Sequence, residues 1–128
     1  MAEYPDRILI NRDILPLSQN QVYRRRAQGG MYMTEKGKSF KSIIGWEAKN
    51  EMLGYKPFEG PVSVFIDLFF SDNRKRDIDG PIKLILDALN GIIYKDDSQI
   101  TRLTIHKRKA KEPAITILIE PSVERRSN

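Results

Sequence analysis

Residues 62–71, VSVFIDLFFS, constrain this chain more than any other stretch. Alternate positions of an extended chain point to opposite sides, so Val62, Val64, Ile66, Leu68 and Phe70 share one face. Phe65 and Phe69 fall on the other. A strand with apolar groups on both faces is expected at the centre of a sheet, with cover on each side. The rest of the chain must therefore supply neighbouring strands and covering helices.

Residues 7–10 (RILI) are expected as a strand, and Asn11 to Gln21, which carries Pro16, as a loop. Val22–Arg26 and Met31–Met33 flank Gly29-Gly30, the pattern of a small hairpin. Thr34 is placed to cap a helix running to about Leu53, with Gly54 as its stop. Phe40, Ile44, Ala48 and Met52 recur along it every fourth residue, and Ile43 and Leu53 widen the stripe. Asp79 is expected to cap a second helix, with Gly80 and Pro81 in the first turn, where a missing amide proton costs nothing. Ile82, Ile85, Leu86, Leu89 and Ile93 then share one face, while Asp79, Lys83, Asp87 and Asn90 form a polar stripe. Residues 100–109 and 114–120 alternate as strands, and the short link Ala110–Pro113 predicts that they pair as an antiparallel hairpin. The order βαβαββ gives an α+β fold: a mixed β-sheet with two helices in a single compact domain. That domain is expected to span 1–128, with 1–6 and 121–128 as loose ends.

Composition limits the chemistry. The chain has no cysteine and one histidine, His106, which excludes thiolate sites and any site needing two imidazoles. A metal would have to be held by oxygen, which favours magnesium, manganese or calcium. Twenty-two Lys and Arg against 17 Asp and Glu give a net charge of +5, which favours a polyanionic partner. The cations are gathered in runs: Arg24, Arg25 and Arg26; Arg74, Lys75 and Arg76; and Lys107, Arg108, Lys109 and Lys111. No apolar stretch is long enough to span a membrane, and the N-terminus lacks the pattern of a signal peptide. A cytoplasmic protein is expected.

Five acids could hold a cation: Asp77, Asp79, Asp87 and the adjacent pair Asp96 and Asp97. Asp77 and Asp79 point to one side of an extended approach to the helix, and Lys83 follows one turn later. Carboxylates converging beside a lysine are costly unless a cation or phosphate belongs there. Each also has a structural reading. Asp79 serves as a helix cap, Lys83 and Asp87 as a surface pair, and Asp96-Asp97-Ser98 as turn chemistry. A calcium-binding helix–loop–helix motif is excluded, because aligning Gly80 with its glycine puts Lys75 and Leu86 at the terminal ligand positions.

The run Arg76-Asp77-Ile78-Asp79-Gly80-Pro81-Ile82-Lys83, then Asp87-Ala88-Leu89, then Asp96-Asp97-Ser98-Gln99-Ile100 resembles the signature of the RusA family of Holliday-junction resolvases. That signature has an Asp-x-Asp-Asn-x-x-Lys core, Asp-Ala-Leu, and a paired Asp-Asp. Asn20 to Arg24 and Thr34 fit the family's N-terminal region, so the resemblance covers roughly Asn20 to Glu120. It implies a homodimeric nuclease that uses Mg²⁺, with Mn²⁺ as an alternative ion, to cut four-way branched DNA. The implied catalytic residues are Asp77, Asp79, Lys83 and Asp97, with the three acids as metal ligands. Asp87 and Asp96 are expected in support, Asp87 holding Lys83. DNA binding is expected from Arg24, Arg25, Arg26, Arg74, Lys75 and Arg76. Lys107–Lys111 either bind DNA or keep a hairpin tip soluble, His106 has no assigned task, and Trp46 is expected in the core or a dimer interface. One departure stands out: Gly80-Pro81 replace the signature's asparagine and apolar residue. A non-catalytic protein that binds branched DNA is the alternative function.

Overall fold

The computed structural model describes residues 3–122. The elements run β1 (Ile8–Arg12), α1 (Gln19–Val22), β2 (Tyr23–Arg25), β3 (Met31–Met33), α2 (Glu35–Glu51), β4 (Val62–Phe70), α3 (Asp79–Leu89), a 3₁₀ turn (Asp97–Gln99), β5 (Ile100–Lys109) and β6 (Ala114–Pro121). This is an α+β domain: a four-stranded mixed sheet in the order β1-β6-β4-β5, and a small antiparallel pair, β2-β3. The one-turn helix α1 lies in the stretch read from sequence as loop, so the described residues form three α-helices rather than two.

The central position of β4 is borne out, but its partners differ from expectation. β5 and β6 do not form a hairpin; β5 lies parallel to β4 on one edge and β6 antiparallel on the other. Side-chain chemistry decides this, not loop length. Ile115, Ile117 and Ile119 of β6 are fully buried, and so require a strand on either side. β5 carries Arg102, His106, Lys107, Arg108 and Lys109, charges that suit an edge and discourage further pairing. The 110–113 link passes the end of β4, where Ala110 N–H donates to the Phe70 carbonyl at 2.9 Å.

Cover is one-sided as well. The buried sheet face consists of Ile8, Ile10, alternate residues of β4 from Val62 to Phe70, and the β6 isoleucines. Phe40, Ile44, Ala48 and Met52 of α2, and Ile82, Leu84, Ile85, Ala88 and Leu89 of α3, complete this core. On the opposite face Leu9, Leu118 and Phe65 line up across three strands, with Phe69 four residues further along β4. Leu9 is 47% exposed and the other three are half-buried. The expected second cover is absent among the described residues.

Local signals explain most termini. Thr34 caps α2, its hydroxyl accepting from Gly37 N–H at 3.0 Å, and Gly54 adopts φ +83° just past the helix end. Leu53 and Trp46, however, are 75% and 62% exposed, so neither joins the core. Asp79 is not the cap of α3: Ile78 holds that position without a side-chain bond, and Asp79 is the first helical residue. Its charge still lies where the helix dipole favours an anion. Of the expected loose ends, Glu3 accepts from Lys56 N–H and Ser122 donates to the Pro61 carbonyl; residues 1–2 and 123–128 lie outside the described residues.

Candidate metal and nucleic-acid site

The loop from β4 to α3 delivers the first acids. Asp77 Oδ1 accepts from Asp79 N–H at 3.1 Å, which turns the backbone into the helix. The Asp77 carbonyl accepts from Gln19 N–H at 2.9 Å, tying α1 to the same turn. Arg76 braces the loop: it makes a two-pronged bond to Asp72 at 2.6 and 3.1 Å and stacks on Phe70 at 4.6 Å. Bonding from Arg76 first, and then from the Arg74 backbone N–H, lowers the Asp72 carboxyl to about 2. With its side chain only 13% exposed, Arg76 is committed to the fold and has little charge free for DNA.

Lys83 stands one turn into α3, 3.4 Å from Asp87 and largely exposed. Beyond the helix, Asp96 accepts from Ser98 N–H at 3.0 Å and caps the 3₁₀ turn. Hydrogen bonding from Ser98 holds the Asp96 carboxyl below the usual range. Asp97 makes no side-chain bond among the described residues, so it is the free member of the pair.

Tyr94, which sequence reasoning passed over, anchors this end. Fully buried, it donates to the Leu86 carbonyl at 2.8 Å, satisfying one of the last carbonyls of α3. Burial, and then the charges of Asp97, Asp87 and Asp96, raise its hydroxyl well above the usual tyrosine range. Asp97 and Asp87 thus both act on this hydroxyl. Asp79 opens the helix, and Asp87 lies eight residues further on, about 12 Å along its axis. Among the described residues no group of three or more acids or histidines is placed to hold a metal. Asp77 and Asp79 remain a two-carboxylate oxygen set, which suits a cation that keeps much of its water.

Two basic concavities flank these acids. One, of about 620 Å³, is lined by Asn20, Tyr23, Arg24, Arg25, Met31 and Tyr32. It lies on the predicted β2–β3 hairpin, where Arg26 stacks over Tyr32 at 5.6 Å. The other, of about 280 Å³, joins Arg74 and Lys75 to Lys107, Arg108 and Lys109. Parallel pairing of β5 with β4 brings these two runs together, and Lys107 Nζ reaches the Arg76 carbonyl at 3.2 Å. Sequence offered no signal for that, since it follows from strand order. His106 lies on the open sheet face, 2.7 Å from Arg108 and 3.5 Å from Asp67.

Comparison with known proteins agrees with the acidic motif. The family model described as Endodeoxyribonuclease RusA matches residues 13–120, and this chain belongs to that family. The uncharacterized protein YqaN of Bacillus subtilis (strain 168) is 44% identical over 130 residues, covering 81% of this chain and 89% of that protein. A crossover junction endodeoxyribonuclease RusA of Aquifex aeolicus (strain VF5) is 26% identical, covering 84% of this chain and 86% of its own length. The protein of that name from Escherichia coli (strain K12) is 29% identical over 93 residues, 72% of this chain and 76% of its own. Among the described residues no helix is long and apolar enough to cross a membrane.

Proposed function

We propose that this protein is a divalent-metal-dependent endonuclease that resolves four-way DNA junctions by paired, symmetric nicks. The observation that carries this reading is the start of α3: Asp77 and Asp79 together in one turn and Lys83 exposed one turn on. The relatives named crossover junction endodeoxyribonucleases support the choice of substrate. Mg²⁺ is the favoured ion, with Mn²⁺ as an alternative, and Asp77 and Asp79 would hold it. When bound, such an ion activates water and offsets charge on the leaving oxygen. Lys83 meets the scissile phosphate and stabilises the extra charge of its transition state, while Asp87 orients the lysine. Arg24, Arg25 and Arg26, between Tyr23 and Tyr32, hold the backbone and offer aromatic faces to unstacked bases. Arg74 and Lys75 grip the phosphates beside the cut. Arg76, bound to Asp72, shapes that loop instead. A DNA substrate places this work in the cytoplasm, in recombination and repair.

A homodimer completes the reading. Paired nicks about a branch need two active sites, and a twofold axis relates them most simply. The open sheet face, with Leu9, Phe65, Phe69 and Leu118, is apolar enough for a second copy to cover. Asp97, which makes no side-chain bond among the described residues, would supply the third acid. The test combines a synthetic four-way junction with Mg²⁺ and reads nicks on both strands, with sedimentation of the free protein alongside. Paired nicks from a dimer are expected. Binding without cutting would favour the non-catalytic alternative, and a monomer making paired nicks would refute the dimer.

A further inference from the structure

Gln19 presents a buried side-chain oxygen, Oε1, with no hydrogen-bond partner among the described residues. A buried acceptor left unpaired is unfavourable, and in a native protein it calls for a reason. Its position supplies one. The amide lies over Gly80, in the same turn of α3 as Asp79: a Cβ built on Gly80 would fall 2.3 Å from Gln19 Oε1 and 3.1 Å from Gln19 Cα. Only glycine at 80 leaves the amide room. No neighbouring donor is bonded to it, Gly80 N–H included, among the described residues. Asp79 N–H is bonded to Asp77, Ile82 N–H to the Ile78 carbonyl, and Pro81 has none. The signature's asparagine is absent at 80, and Gln19 brings a side-chain amide from α1 to the same place.

Resting on the metal-dependent reading above, we propose that Gln19 is a positioning residue of the acidic site. Its carbonyl oxygen accepts from a water of the hydrated cation carried by Asp77 and Asp79. Such a cation keeps several waters, whose protons need fixed acceptors to set their orientation. Gln19 and Gly80 then act as a pair, the glycine making the space that the amide fills.

The test measures Mn²⁺ binding to the full chain by loss of the free-ion EPR signal, with melting temperature recorded in parallel. Gln19→Met keeps the length and removes the acceptor. It should weaken Mn²⁺ binding about 10-fold or more, while melting no lower than wild type, because an unpaired buried oxygen is gone. Gly80→Ala, which displaces the amide, should show the same loss, and Gln19→Glu, which retains an oxygen and adds a charge that favours a cation, should bind at least as tightly as wild type. Wild-type affinity in Gln19→Met would overturn the proposal and leave Gln19 as packing. So would unchanged Mn²⁺ binding with weakened junction binding, which would make the amide a DNA contact. If the wild type takes up no Mn²⁺, the metal reading itself falls and this inference with it.

Discussion

Replacing Lys83 with alanine separates catalysis from scaffolding, because the two readings differ by an order of magnitude in energy. Lys83 lies 3.4 Å from Asp87, with its side chain 70% exposed and that of Asp87 31%. An exposed i,i+4 pair contributes roughly 0.3–0.5 kcal/mol, and less with the cation on the N-terminal side, as here. Loss of the pair should therefore shift the melting temperature by only about 1–2 °C. A group that stabilises charge only in the transition state acts on a larger scale. Removing one typically slows reaction about 10²–10³-fold, or about 2.7–4 kcal/mol. The assay is single-turnover cleavage of a four-way junction with enzyme in excess, at fixed salt, with gel-shift binding and thermal melting on the same preparation. Cleavage should collapse while binding and melting barely move. A rate within about threefold of wild type would refute the catalytic role, given the size of that effect.

Asp79→Asn should preserve the fold and junction binding yet abolish metal-dependent cutting, since an amide cannot neutralise the ion; near-normal cleavage would remove Asp79 from the site. Tyr94→Phe orphans the Leu86 carbonyl and should cost about 1–3 kcal/mol, read as a lower melting temperature; an unchanged melt would show that water replaces the hydroxyl. Asp72, lowered from 3.8 to about 2 by Arg76 and the Arg74 N–H, stabilises the fold above the ordinary aspartate value and loses that contribution as pH falls through about 2. Asp72→Asn should therefore unfold at a higher pH during acid titration, with the two curves converging below about pH 2; coincident curves throughout would contradict the brace.

Much of this protein is legible in its sequence, because local chemistry writes it directly. The apolar alternation of 62–71 fixes a central strand, Thr34 and Gly54 bracket α2, and Gly29-Gly30 mark the β2–β3 hairpin, where both adopt positive φ. The Asp77–Lys83 motif gives the family without any coordinates. Tertiary structure alone decided how these pieces meet. Strand order depends on which strands can tolerate burial on both edges, and this places β5 and β6 on either side of β4 rather than together. That order makes one basic groove from Arg74–Lys75 and Lys107–Lys109, more than 30 positions apart in the chain. Among the described residues it also leaves one sheet face uncovered. Motif spacing counts residues, whereas a helix converts residues into distance. Lys83 and Asp87, four positions apart in the chain, stand 3.4 Å apart because one helical turn brings them together. Gln19 shows the same limit, since its amide has meaning only because the fold lays α1 across Gly80.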